Sequence, residues 1–148
     1  DVPEISFNHL ELPTAIDYEH HPPSSGDHRP QWALWGEYGF LPPQRWLHNA
    51  EHGGIILLYH PCASPQTIDA LRVFAQTRPL DSDNQPFRYI LTPYPDLEGE
   101  VGAVAWTHTV VMSCYDPATL GAFVDTYHRQ APEDVSADGD YSFDWIGR

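Results

Sequence analysis

The apolar run at residues 54–59 constrains the fold of this chain more than any other feature. After Gly54 come two isoleucines, two leucines and Tyr59, with no polar residue between them. A short, continuous run of branched apolar residues is typical of a strand that is buried on both of its faces. We therefore expect this segment to lie inside a sheet, with the other elements arranged around it.

Two helices and two further strands are predicted after this strand. Ser64 can cap a helix that has Pro65 at its first position, and apolar residues then recur at helical spacing until Arg78 and Pro79. A threonine-rich apolar stretch and a second amphipathic stretch follow. The predicted bounds are a helix from 64 to 78, strands at 87–92 and 101–112, and a helix from 116 to 132.

The order β-α-β-β-α predicts a small α+β domain with its helices on one face of a sheet. A chain of 148 residues fits a single domain of this kind. Residues 1–46 are rich in proline and aromatic side chains, and we expect them to form a loop-rich segment that wraps the core at 47–132. Residues 133–148 form an acidic tail whose aromatic residues can dock back onto the domain.

The charge balance disfavours some partners and favours others. The chain has 21 acidic and 7 basic residues, and its formal net charge is −14. Nucleic acid and anionic membrane surfaces are disfavoured, whereas cations are natural partners. No apolar run is long enough to span a membrane. The cysteines Cys62 and Cys114 are compatible either with one disulfide in an exported protein or with two free thiols.

The sequence H-x-x-E-H at residues 48–52 predicts half of a metal site. Two imidazoles four residues apart on a helical turn, His48 and His52, point the same way and can share an ion. The pattern also matches an inverted zinc-protease signature in which Glu51 would be the general base. However, Gly53 and Gly54 end the turn at once, and such proteases use a long helix. We therefore favour Glu51 as a partner that orients a ligand histidine, with acid or base catalysis as its role in an enzyme.

Several separated motifs together resemble the bacterial DUF3105 family, a domain of unknown function. These motifs are PPSSGDH at 22–28, GEY at 36–38, HNAEHGG at 48–54, LTPYP at 91–95 and AWT at 105–107. The resemblance implies an extracytoplasmic protein, periplasmic or secreted, that is often held to the membrane by a further N-terminal segment. It also implies that His28, His48 and His52 form the metal-binding set, because these histidines fall on motif positions.

The resemblance further implies that Met112 stands where the family has a cysteine, which would add sulfur to the site. Imidazole together with a soft sulfur ligand favours copper, and zinc is the alternative. Met112 could equally fill the core at the end of its strand.

Three classes of function therefore remain open at this stage. The first is a metal-binding protein, most readily for copper, that sequesters or delivers the ion through His28, His48, His52 and Met112. The second is a mononuclear metalloenzyme, either a copper oxidoreductase or a zinc hydrolase, with Glu51 as acid or base. The third is a structural module whose histidines serve packing or an unknown protein partner.

Overall fold

The fold of this chain is a mixed sheet of six strands with helices packed on both faces. The computed structural model describes residues 3–4 and 7–148. In chain order the elements are β1 (Gly36–Tyr38), α1 (Pro43–Glu51), β2 (Ile55–Tyr59), α2 (Pro65–Thr77), β3 (Tyr89–Pro93), β4 (Val101–Ala105), β5 (His108–Met112), α3 (Pro117–Tyr127) and β6 (Trp145–Gly147). The strands lie in the order β5-β4-β2-β3-β1-β6. This is a small α+β domain, as predicted.

The strand predicted from the apolar run is central in the sheet. β2 pairs with β3 in parallel and with β4 antiparallel, and its first four residues are buried. Successive side chains of a strand point to opposite faces. Accordingly, Ile55 and Leu57 pack in one apolar cluster, and Ile56 and Leu58 pack in the other. The prediction of a strand buried on both faces is confirmed.

The two helices predicted from periodicity lie on the same face of the sheet. Leu71 of α2 and Phe123 of α3 pack in the cluster that contains Ile55 and Leu57. The start of α2 is also as predicted, because the Ser64 hydroxyl accepts a hydrogen bond from the backbone N–H of Thr67 at 3.1 Å. Helix α1 packs on the opposite face, through Trp46, Leu47 and Ala50.

Three predicted boundaries differ from the structure. Residues 101–112 form a hairpin of two antiparallel strands, β4 and β5, rather than one strand. The turn between them places Thr107 at a φ of 64°, and no glycine, proline or asparagine announces it. Helix α3 ends at Tyr127, five residues before the predicted stop at Pro132. The strand predicted at 87–92 is β3, which begins at Tyr89, two residues later than predicted.

The segments at the two ends of the chain are tied to the sheet by backbone pairing. β6 pairs antiparallel with β1, and β1 pairs in parallel with β3. The tail therefore docks as a strand, and Tyr141 packs against the cluster on the α1 face, whereas Phe143 remains 77% exposed. In the N-terminal segment, Phe7 and Tyr18 pack against the cluster on the α1 face. Within the described residues, no helix has the length and apolar character needed to cross a membrane.

Candidate metal centre

The last turn of α1 and the residue that follows it carry the two histidines and the glutamate of the H-x-x-E-H motif into the interior. His48, Glu51 and His52 are each at most 3% exposed. The helix ends because Gly53 adopts a φ of +89°, a conformation that other residues rarely take. Gly54 follows under the ring of Trp35, where a Cβ atom would lie 2.3 Å from the ring edge. The two glycines of the motif therefore stop the helix and admit an aromatic ring against its end.

The turn at residues 22–28 brings His28 to the same place. The Ser24 carbonyl accepts a hydrogen bond from the backbone N–H of Thr107 at 2.8 Å, which ties the turn to the β4–β5 hairpin. Gly26 has a φ of +121°. His28 is fully buried and forms a parallel backbone bridge with His9. The bridge places the His9 side chain beside the two other imidazoles.

Three imidazoles converge on one carboxylate oxygen of Glu51. The Nε2 atoms of His28, His9 and His48 lie 3.0, 3.7 and 3.9 Å from Glu51 Oε2. One donor atom from each of the four residues lies within 4.8 Å of the others. This arrangement of three nitrogens and one oxygen can surround a single metal ion.

Backbone carbonyls fix the orientation of the two buried histidines. His28 Nδ1 lies 2.9 Å from the Gly26 carbonyl oxygen, and His48 Nδ1 lies 2.7 Å from the Arg29 carbonyl oxygen. A carbonyl oxygen only accepts, so each Nδ1–H donates, and Nε2 is the ring nitrogen that faces Glu51 in both histidines. Ligand histidines in metal sites are oriented in this way by hydrogen bonds from their other ring nitrogen.

The electrostatics of the cluster favour the protonation states that bind metal. Burial lowers the pKa of His48, the hydrogen bond to the Arg29 carbonyl opposes this shift, and the neighbouring histidines add to it, so that the pKa is about 4. Burial raises the pKa of Glu51, but its hydrogen bond to His28 and the charges of the nearby histidines outweigh this, so the net pKa is lowered. Near neutral pH the cluster therefore presents a neutral His48 imidazole and an ionised carboxylate, the forms that coordinate metal.

Aromatic side chains surround the cluster and limit the access of water. Phe7 stacks on the His28 ring with 5.5 Å between the ring centroids, and Trp106 packs edge-on against the same ring with 6.0 Å between the centroids. Trp32 packs against the His48 and His52 rings at 5.2 and 4.6 Å. By contrast, the side chain of His9 is 46% exposed. The site therefore has one solvent-facing donor and three buried ones.

A comparison with protein families matches most of the chain. The family described as "Protein of unknown function (DUF3105)" matches residues 9–139. The chain belongs to the DUF3105 family. The matched region of this DUF3105 chain begins at His9 and includes every donor of the cluster. Comparisons with curated proteins and with solved structures gave no match.

In this DUF3105 protein, His52 turns away from the three converging imidazoles. Its Nε2 atom donates to Glu133 Oε2 at 2.9 Å, and its ring lies edge-on to His48 at 4.5 Å. Burial lowers the pKa of His52, although the charges of Glu133 and Glu51 oppose the shift. His52 thus belongs to a second group of possible donors, formed with Glu51 and Glu133.

Met112 is not brought to the histidines. It pairs with Val101 at the end of β5 and packs with Phe123 of α3 in the apolar cluster on the α2 and α3 side of the sheet. Trp106, which packs against His28, belongs instead to the cluster on the α1 side of the sheet. The placement agrees with the core-filling alternative and leaves the site without sulfur. Cys62 and Cys114 are exposed free thiols.

The sequence motifs selected only part of the cluster. His28 and His48 lie together as expected, and Glu51 forms a hydrogen bond with the His28 ring, a contact that serves either an orienting residue or a ligand. His9 lies outside the quoted motifs and was missed, because only the backbone bridge to His28 brings it near. Glu133 was missed for the same reason, since its approach to His52 depends on how the chain folds back after α3.

Proposed function

We propose that this protein binds a divalent transition-metal ion through His9, His28, His48 and Glu51, and that it holds or delivers that ion. The supporting observation is the shared orientation of His28 and His48. Each donates Nδ1–H to a backbone carbonyl, and each aims Nε2 at the same Glu51 oxygen. That orientation brings Nε2 of His28 within 3.0 Å of Glu51 Oε2, a separation that suits two ligands of one ion.

The donor set supports copper(II) or zinc as the ion. Imidazole nitrogens serve both, and the general affinity order of divalent ions puts copper(II) above zinc. The sulfur ligand that would favour copper further was Met112, which packs on the other side of the sheet. We therefore propose copper in its divalent state first and zinc second.

Two features support holding or delivery rather than catalysis. Glu51 faces three imidazoles, so as a metal ligand it is not free to act as a general acid or base. His9 is the one solvent-facing donor in the cluster, and an exposed ligand offers a route by which an ion enters and leaves.

The net charge of −14 favours the approach of cations. The proposal includes an extracytoplasmic location, periplasmic or secreted, which the motif resemblance implies.

Metal analysis of untagged protein tests this proposal. We expect the purified chain, reconstituted with copper(II) or zinc and desalted, to retain at least one equivalent of metal, and His48→Ala and His28→Ala to lose the ion held by His9, His28, His48 and Glu51. His20→Ala is the matched control, because His20 is exposed and lies outside the cluster; it should keep the metal.

The competing interpretation is a metal-free ion pair between a doubly protonated His28 and Glu51. It predicts that wild-type protein retains no copper or zinc after desalting. That result, or equal retention by wild type and His48→Ala, would contradict the proposal.

A further inference from the structure

We propose that Glu51, His52 and Glu133 form a second cation site, and that Glu51 bridges it to the first. This inference rests on the proposed function, because it extends the same centre from one ion to two. One donor atom from each of the three residues lies within 4.8 Å of the others. His52 Nε2 and Glu133 Oε2 are 2.9 Å apart, a separation that suits two ligands of one ion.

The backbone holds Glu133 at this position although half of its side chain is exposed. The N–H of Glu133 donates to the Glu51 carbonyl at 3.2 Å, and the N–H of Val135 donates to the His52 carbonyl at 3.3 Å. The segment after α3 is thereby fastened along the last turn of α1. The neighbouring carboxylate, Asp134, is occupied by Arg88 and Arg129. Glu133 instead directs its charge at His52.

His52 lacks the anchor that the other two buried histidines have. Its Nδ1 atom is buried and has no hydrogen-bond partner among the residues that the structure describes. With Nε2–H donated to Glu133, the lone pair of Nδ1 is left unsatisfied. A buried polar atom without a partner is unfavourable and rare in folded proteins, and it calls for an explanation such as an ordered water or ion. The protein therefore does not hold the His52 ring by Nδ1, and an ion on Nε2 would shift the ring proton to Nδ1, where a water could accept it.

Glu51 can serve both ions because a carboxylate has two oxygens. Its Oε2 atom faces the three imidazoles, and a carboxylate offers about four lone-pair directions in all. Ions in two-metal sites lie about 3.5–4 Å apart. The second ion would have two carboxylates and one imidazole, a set richer in oxygen than the first, and it would lie nearer the solvent at Glu133.

Zinc stoichiometry tests the second site. The full chain is stripped with EDTA, reloaded with Zn²⁺, desalted and analysed, and Co²⁺ titration followed by visible absorption gives the affinity of each step. We expect two equivalents in the wild type and one in Glu133→Gln. We also expect the second step of Glu133→Gln to weaken at least about tenfold while the first is retained. His52→Ala should likewise bind one equivalent. Glu19→Gln, an exposed control, should bind two.

The outcomes separate this inference from the proposed function. One equivalent in both the wild type and Glu133→Gln overturns the second site and leaves the first intact. No retained metal in the wild type overturns both. Loss of all metal in a folded Glu133→Gln variant overturns the bridged arrangement, because Glu133 would then belong to a single site. Circular dichroism spectra confirm that each variant is folded, and the exposed position of Glu133 makes its substitution mild.

Discussion

Replacing Met112 separates a packing role from a ligand role. The residue is 8% exposed and lies at the end of β5, where it pairs with Val101 and packs beside Phe123. Truncation of a buried methionine to alanine costs about 2–5 kcal/mol, depending on how far the cavity can collapse. Because the strand end is partly open to solvent, we expect Met112→Ala to lower the free energy of unfolding by about 2–3 kcal/mol.

The expected size of the effect makes it measurable. For a domain of this length, each kcal/mol corresponds to about 2–4 °C, so the Tm of Met112→Ala should fall by about 4–12 °C. Met112→Leu conserves volume and should cost less than about 1.5 kcal/mol. Urea unfolding at 25 °C measures both changes. Copper and zinc titrations of the folded variants should give affinities within about twofold of the wild type, because the residue lies across the sheet from the histidines.

The opposite pattern would refute this reasoning. If Met112→Leu weakened copper binding by about tenfold or more while the unfolding midpoint stayed the same, the thioether would be a ligand. The face assignment that places Met112 with α3 would then be wrong.

Three further perturbations test other parts of the structure. His9→Ala should weaken Zn²⁺ binding at least about tenfold in a chelator competition, yet change the stability of the metal-free protein by less than about 0.5 kcal/mol, because this side chain is exposed; wild-type affinity would exclude His9 as a ligand. Burial and the charge of Arg88 lower the pKa of His128 to about 4, and its Nε2 accepts a hydrogen bond from the backbone N–H of Arg88 at 3.0 Å. Between pH 6.5 and 4 this histidine is therefore protonated in the unfolded chain but not in the folded one. His128 should therefore account for about 1–2 kcal/mol of the stability that the EDTA-treated protein loses between pH 6.5 and 4. Urea midpoints of His128→Gln should lack that part of the decline; identical pH profiles would contradict this. Gly54→Ala places a Cβ 2.3 Å from the Trp35 ring and should cost about 1–3 kcal/mol in urea unfolding, whereas an unchanged midpoint would show that the ring is free to move.

The elements that were predicted correctly from the sequence are those whose own residues show a clear pattern. β2 is a run of apolar residues with no competing pattern, and α2 has both a capping serine and a proline at its start. The β4–β5 hairpin was hidden because its turn uses Trp106 and Thr107, which look like strand residues in a sequence. The three-residue strands β1 and β6 exist only through pairing with distant parts of the chain, so no local signal announces them.

In the candidate site, too, residues placed by local sequence patterns were predicted, and residues placed by contacts between distant parts of the chain were not. His48 and Glu51 share a helical turn, so their spacing alone brings them together. His28 required a motif, and His9 and Glu133 required the fold itself. Only the resemblance suggested Met112 as a ligand, and core filling stayed open, because the face of Met112 is set by the register of β5 against β4 and a register cannot be read when two strands are taken for one.

Because the parallel bridge brings His9 next to His28, an ion bound there would also hold the N-terminal segment against the core. An ion that joins His9, His28 and the end of α1 would close two successive loops of about twenty residues, and each closed loop removes freedom from the unfolded chain. The ion would act as a cross-link between the N-terminal segment and the core, much as a disulfide does. Release of the ion would free the segment at His9 first, so amide exchange near that residue should report whether the protein is loaded.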